Sequence, residues 1–303
     1  MAILGGAMLE ARDLRKSFGE LRAVDGVSFD IERAESFGLL GPNGAGKSTT
    51  ISMLVGALLP DSGTVRLDGD RSPSAPATRR EIGVAPQDLA IYEELSAEEN
   101  LAFFGRIYGL RGRRLAERVS WGLELAGLSG RRKDRAETFS GGMKRRLNLA
   151  CAAVHEPRLL LCDEPTVGVD PQSRNHIFES IEALRADGCT LLYTTHYMEE
   201  AERLCERVAI MDHGRILALG SVPELIAEHG GAATVEVELA EAPPSTAVLP
   251  GPLDGLTLRV QTEDPLPAVE SLGGQGLAIK RLRIDRPDLE RVFLNLTGRS
   301  LRD

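Results

Sequence analysis

The sequence predicts an α/β protein followed by a small α+β domain, and three observations carry that prediction. A glycine-rich loop, Gly41-Pro-Asn-Gly-Ala-Gly-Lys-Ser48, stands between a short apolar run, Ser36–Leu40, and a stretch suited to a helix. A continuous apolar strand, Leu159-Leu-Leu-Cys162, ends on Asp163 and Glu164. Beyond about residue 230 the pattern changes to strict alternation, beginning with Thr234-Val-Glu-Val-Glu-Leu239.

The loop fits G-x-x-x-x-G-K-[ST], the phosphate-binding pattern. Glycines at Gly41, Gly44 and Gly46 let the backbone curl until successive N–H groups point inward at phosphate oxygens, with Pro42, Asn43 and Ala45 between them. Lys47 is then placed to reach the β- and γ-phosphates, and Ser48 to put its hydroxyl on Mg²⁺. The helix opening through Thr49 aims its positive dipole end at the nucleotide. Strand, loop and helix are the context that this motif requires.

With 303 residues, about two domains are expected. No apolar run approaches the roughly 18 to 20 residues of a membrane span, and Met1–Gly6 lacks the basic and apolar regions of a secretory signal. The net charge of −9 argues against a broadly basic nucleic-acid binder. Cys151, Cys162, Cys189 and Cys205 show no C-x-x-C pairing and read as small buried hydrophobes of a reducing cytosol. His155, His176, His213 and His229 have no metal-ligand spacing and read as surface or loop residues.

In chain order, strands are expected over Met8–Ala11, Val27–Ile31, Ser36–Leu40 and Thr64–Leu67. Phe18 lies in the turn between the first two, where it could stack on an adenine ring or face the core. A Pro/Ser-rich loop over 71–78 precedes a short strand ending at Gln87. Apolar residues at helical spacing, among them Leu101, Phe104, Leu115 and Leu123, predict a helical insert over Ser96–Gly127. Ser140-Gly-Gly-Met143 opens another helix, with Ser140 as N-cap. The strand ending at Asp163 and Glu164 presents them where open α/β sheets bind ligands, and Thr190–Thr195 is a similar strand leading to His196. A hairpin over 208–217 follows. Past a linker over 229–233, strands at 234–239, 256–260 and 277–284 and a closing helix striped with Leu289, Val292, Phe293 and Leu296 make the small domain; Ala242-Pro-Pro-Ser-Thr246 is a loop.

Taken together, the glycine loop, Ser140-Gly-Gly, Leu-Leu-Leu-Cys-Asp-Glu164 and His196 make the first roughly 220 residues resemble the ATP-binding subunit of an ABC transporter. The stretches Phe37–Gly46, Tyr92–Leu101, Thr166–Pro171 and Pro287–Gly298 are similar to the ABC-2 type exporter branch, which includes drug-resistance and nodulation-type ATPases. The resemblance implies a P-loop NTPase of ABC ATPase type over 1–230: a mixed sheet core, a β-subdomain and an α-helical subdomain at about 88–155. A C-terminal α+β accessory domain fills 231–303.

The resemblance also implies roles. Phe18 would stack on adenine, and Gln87 would meet Mg²⁺ or the attacking water. Ser48 and Asp163 would hold Mg²⁺, Asp163 through water. Glu164 would be the general base, and His196 would hydrogen-bond the γ-phosphate. Ser140, Gly141, Gly142 and Met143 form the signature that closes on ATP held by the opposite subunit, and Asp170 would couple the two sites. The signature departs from the commonest form, with Phe139 for Leu and Met143 for Gln.

ATP, Mg²⁺, a homodimer, an ABC-2 type integral membrane permease and a peripheral place at the cytoplasmic face of the membrane are the cofactors, partners and location implied. An importer ATPase with a regulatory domain is the rival within transport. A soluble ABC ATPase acting on DNA or ribosomes is the rival outside it, weakened by the absence of sustained heptads and by a single glycine loop.

Overall fold

The computed structural model describes residues 6–244, 247–274 and 277–298. Of the stretch read for a signal only Gly6 falls among them, and Ser245 and Thr246 of the expected loop lie outside. The chain divides into two compact units, Met1–Ser221 and Val222–Asp303.

The first unit begins β1 (Leu9–Phe18), β2 (Leu21–Ile31), β3 (Ser36–Leu40), α1 (Lys47–Leu54), β4 (Ser62–Leu67), α2 (Pro76–Arg79) and β5 (Ile82–Ala85). It continues through α3 (Ala97–Ile107), α4 (Gly112–Leu125), α5 (Gly141–Ala153), β6 (Leu159–Asp163), α6 (Pro171–Ala186), β7 (Thr190–Thr195), α7 (Met198–Leu204), β8 (Arg207–Asp212) and β9 (Arg215–Ser221).

Every residue of β3, β6 and β7 is buried, as expected of strands covered on both faces. They form the middle of a six-stranded sheet in the order β5-β6-β7-β3-β8-β9. Its pairs are parallel except β8 with β9, which makes the sheet mixed. β2, β1 and β4 form a separate antiparallel sheet. One core joins the two sheets: Phe29 of β2 stacks on Phe37 of β3 with centroids 5.2 Å apart, among Leu9, Val27, Leu39 and Leu161. Removing such a buried aromatic costs about 3–5 kcal/mol.

The helical insert has its own core of Leu101, Leu115, Val119, Leu123, Leu147 and Cys151. Ser96 and Glu99 close a reciprocal capping box at the start of α3. Packing of α3 on α4 is close enough that a Cβ on Gly122 would meet Leu101 Cδ2 at 2.8 Å.

The second unit comprises α8 (Val222–His229), β10 (Ala233–Leu239), β11 (Leu253–Asp254), β12 (Thr257–Thr262), α9 (Pro265–Gly273), β13 (Ile279–Asp285) and α10 (Leu289–Thr297). Its sheet runs β11-β12-β10-β13, wholly antiparallel. The division falls one helix earlier than the expected linker because α8 packs on α10. Leu289, Val292 and Phe293 of the expected stripe are buried and Leu296 is half-buried.

All four cysteines are free and buried. Burial pushes Cys189 and Cys205 up to about 12 and the other two higher still, so the thiols stay protonated. His155 lies in a turn, as expected of a surface or loop residue, but is half-buried. It follows α5, stacks on Tyr108 with centroids 3.5 Å apart, and sets Nε2 3.2 Å from the Ile82 carbonyl oxygen. Desolvation lowers its pKa from an ordinary 6.5 to about 4. The folded state therefore favours neutral His155: stability is full above the unfolded value near 6.5 and falls as the pH drops toward 4. His155→Phe keeps a stacked ring and removes this titration. Between pH 6.5 and 4.5 the wild-type chain should lose about 2 kcal/mol more stability than the variant, read from urea unfolding. Parallel losses would contradict the assignment.

Candidate nucleotide site

The glycine loop links β3 to α1, and close approach dictates its glycines. Gly41 and Gly46 have φ of 153° and 105°. A Cβ on Gly41 would meet the Met211 carbonyl oxygen at 2.1 Å, and one on Gly46 the Ala23 carbonyl oxygen at 2.3 Å. Gly46 is also the N-cap of α1, with no side-chain cap on that end. First-turn N–H groups left without side-chain partners make an anion site.

Adjacent strands bring the ionisable groups to that loop. β6, β7 and β3 are neighbours and parallel, so Asp163 and Glu164, then His196, then Lys47 arrive at one edge of the sheet. Lys47 Nζ lies 3.0 Å from Glu164 Oε1, with each side chain 5% exposed. It also donates to the carbonyl oxygens of Gly41 at 2.8 Å and Pro42 at 3.2 Å. Glu164 Oε2 is 3.2 Å from His196 Nδ1. The backbone of Glu164 is in the left-handed region at φ 46°, a conformation that costs a non-glycine residue roughly 1–3 kcal/mol. Its N–H donates to both the carbonyl and the hydroxyl oxygen of Thr194 at 3.1 Å. Thr194 Oγ1 in turn donates to Asp163 Oδ1 at 2.6 Å.

A cleft of about 420 Å³ opens over the loop. Asn43, Gly44, Ala45, Gly46, Lys47, Ser48 and Thr49 line it, with Gln87 and Glu164 on one side. Phe18 stands at its rim, 52% exposed, beside Leu21 in the β1–β2 hairpin and with Lys16 Nζ 5.9 Å from its ring centre. Arg22 and His213 also reach the cleft, and no motif pointed to either. Ser48 and Gln87 line the cleft as hard oxygen donors, while Asp163, buried next to Glu164 in the chain, does not line it; the three carry oxygens of the kind that suits Mg²⁺.

The signature residues and Asp170 do not line the cleft. Ser140 caps α5 by accepting from the Met143 N–H at 3.3 Å, and both Ser140 and Gly141 are exposed. Gly142 is buried: a Cβ there would lie 2.0 Å from Ser173 Oγ and 3.1 Å from Asp170 Oδ2. Asp170 caps α6, accepting from the Ser173 N–H at 2.9 Å, and this bond lowers its pKa. The start of α5 and the start of α6 are therefore packed together. Met143 Sδ accepts from Arg131 at 3.6 Å, a weak bond in place of one that Gln could make.

From α5, two residues hold the segment after Gln87. Asn148 accepts from the Ala90 N–H at 3.0 Å and donates to the Pro86 carbonyl at 3.3 Å, and Arg145 donates to the Gln87 carbonyl. In the sequence Arg145 and Asn148 read as the polar face of their helix and Thr194 as part of a strand, and nothing in their spacing marks them further.

Residues 24–167 match the ABC transporter family. The chain is 43% identical to the linearmycin resistance ATP-binding protein LnrL of Bacillus subtilis (strain 168), over 98% of this chain and 100% of that one. It is 43% identical to the Nod factor export ATP-binding protein I of Ralstonia nicotianae, over 98% and 95%. Among solved structures, an ATP-binding subunit of an ABC transporter superposes with a TM-score of 0.67 at 33% identity, covering 74% of this chain and 93% of that one. A nucleotide-free ATP-binding cassette gives 0.62 at 28%, covering 71% and 92%. Glycine loop, strand-end carboxylates and relatives along the whole chain lead to one conclusion: this protein belongs to the ABC transporter family, as an ATP-binding subunit that hydrolyses ATP.

Proposed function

We propose that this ATPase drives export through a separate ABC-2 type membrane permease, as a homodimer at the cytoplasmic face of the membrane. Two relatives aligned over 98% of the chain carry resistance and export in their names, which supports export over import. No helix among the described residues is long and apolar enough to cross a membrane.

The observation that carries the chemistry is Glu164 set between Lys47 and His196 at 3.0 and 3.2 Å. Lys47 leaves the Gly41 and Pro42 carbonyls for the β- and γ-phosphates, whose charge exceeds what those dipoles offer. Glu164, freed of that cation, takes the proton of the attacking water as general base. His196 keeps the γ-phosphate in line and holds Glu164 through Nδ1. Ser48, Gln87 and Asp163 are the residues that would hold Mg²⁺, which when bound offsets phosphate charge. Phe18 stacks on adenine at the open rim, with the phosphate-loop residues Asn43 to Thr49 enclosing the other end.

Ser140 and Gly141, exposed and turned to no group of their own cleft, serve the nucleotide of the second subunit. Gly142 and Met143 anchor that helix start, and the packing of Gly142 on Asp170 and Ser173 ties the signature to the loop that crosses the dimer. Through Arg145 and Asn148, the signature helix also grips the segment after Gln87. Closing the dimer therefore moves the face beyond Gln87, where Tyr92 is 47% exposed with its ring 4.8 Å from Phe103. This aromatic face docks the permease.

Two experiments test the proposal. Mixing Lys47→Ala and Ser140→Ala chains, each inactive alone, regenerates one intact site per mixed dimer and should restore ATPase activity to about a quarter of wild type; no recovery would contradict sites shared between subunits. Tyr92→Glu with Phe103→Glu should abolish co-purification with membranes while ATP binding persists. Undiminished membrane recovery would remove this face as the dock.

A further inference from the structure

Glu200, on α7, is 3% exposed and belongs to no motif considered so far. Its carboxylate gathers hydroxyls from separate chain segments. Thr166 Oγ1 donates to Oε1 at 2.8 Å and to Oε2 at 3.0 Å, Thr195 Oγ1 to Oε2 at 2.8 Å, and the Tyr193 hydroxyl to Oε2 at 2.9 Å. Arg174 of α6 sets Nε 3.7 Å from Oε1, with its guanidinium over the Tyr197 ring at 5.1 Å. Thr166, Thr195 and Tyr193 are themselves buried. Burial and the nearby Glu200 charge keep the Tyr193 phenol protonated, so it donates.

The position of these donors is what gives the carboxylate a role beyond filling the core. Thr166 lies two residues past Glu164, on the loop after β6, and Thr195 is the last residue of β7, one before His196. On the cleft side the ends of β6 and β7 meet through Asp163 and Thr194, and the residues just beyond them through the contact of Glu164 with His196. On the inner side they meet at Glu200. Thr195 Oγ1 also accepts from the Tyr197 N–H at 2.9 Å, which fixes the chain on both sides of His196. Arg174 extends the link to the helix that Asp170 caps.

We propose that Glu200 is a positioning residue: its buried carboxylate clamps the loop carrying Glu164 to the loop carrying His196 and so sets the distance at which the two act on the water and γ-phosphate. The clamp rests on the roles given above to Glu164 and His196. It acts through those residues and touches neither nucleotide nor water. An anion is required because the hydroxyls of three residues converge on it as donors; an amide in its place turns one acceptor oxygen into a competing donor.

The test uses the full chain and single-turnover ATP hydrolysis, with fluorescent ATP-analogue binding measured alongside. Glu200→Gln should lower the hydrolysis rate by about 10-fold or more, with nucleotide affinity unchanged within about 2-fold. In a His196→Ala background the same substitution should change the rate less than about 2-fold, because the geometry it protects is already lost. Amide exchange over residues 164–170 and 195–197 should quicken in Glu200→Gln. A wild-type rate, a loss confined to ATP affinity, or full multiplicative effects with and without His196 would overturn the clamp. If Glu200→Gln does not fold, Thr195→Val removes one donor at equal volume and should slow hydrolysis about 3-fold; unchanged hydrolysis would overturn the clamp equally. Glu164→Gln is run beside them: its full activity would overturn the assignment of the base, whereas its inactivity beside a fully active Glu200→Gln would overturn the clamp alone.

Discussion

The Lys47–Glu164–His196 contact is the interaction on which the rest of this structure depends. A carboxylate only 4% exposed would be costly without a counter-ion, and breaking a buried ion pair from one side costs about 3–5 kcal/mol. Here Lys47 and His196 flank Glu164 on its two oxygens. The charge that will meet triphosphate is thus balanced within the protein until triphosphate competes for the lysine. In the proposed mechanism, ATP binding and the release of Glu164 for proton transfer become one event, because the same ammonium cannot satisfy both at close range.

Holding that geometry explains much of the architecture. Lys47 needs a loop whose backbone comes within contact of Ala23 and Met211, which only glycine permits at Gly46 and Gly41. Glu164 needs a left-handed turn, and Thr194 secures it by taking the Glu164 N–H while donating to Asp163. His196 must leave a strand next to the one that delivers Glu164, and the order β6-β7-β3 supplies that. Helix α5 carries Ser140-Gly-Gly at its start and holds the segment after Gln87 through Arg145 and Asn148, so the proposed signature and the proposed docking face share one helix.

Much of this was legible from sequence because it is written in local pattern. The phosphate loop, the apolar strand ending in two carboxylates and the Ser140 cap each announce themselves within a few residues, and the cleft gathers Phe18, Lys47, Ser48, Gln87 and Glu164 from segments far apart. What escaped was defined by tertiary contact. Thr194 reads as one more β-branched strand residue, and its bond to Asp163 exists only because the strands pair in register. Glu200 lies in the acidic run Met198-Glu-Glu200, where any carboxylate reads as solvated. His155 is the loop residue that its sequence suggests, but its packing on Tyr108 and Ile82, distant in sequence, is not legible there. Helix α6 is signalled by Asp170 and Pro171 at its start and by Ile177, Phe178, Ile181 and Leu184 at helical spacing, all of them buried.

The most direct test of the account is the Glu164→Gln chain with ATP and Mg²⁺, followed by light scattering and by phosphate release. The account predicts that ATP binds and draws the chain into a stable dimer while phosphate release falls by at least about 100-fold. Phosphate release at the wild-type rate would show that Glu164 does not take the proton, and the reading of the Lys47–Glu164–His196 contact as the catalytic centre would fall with it.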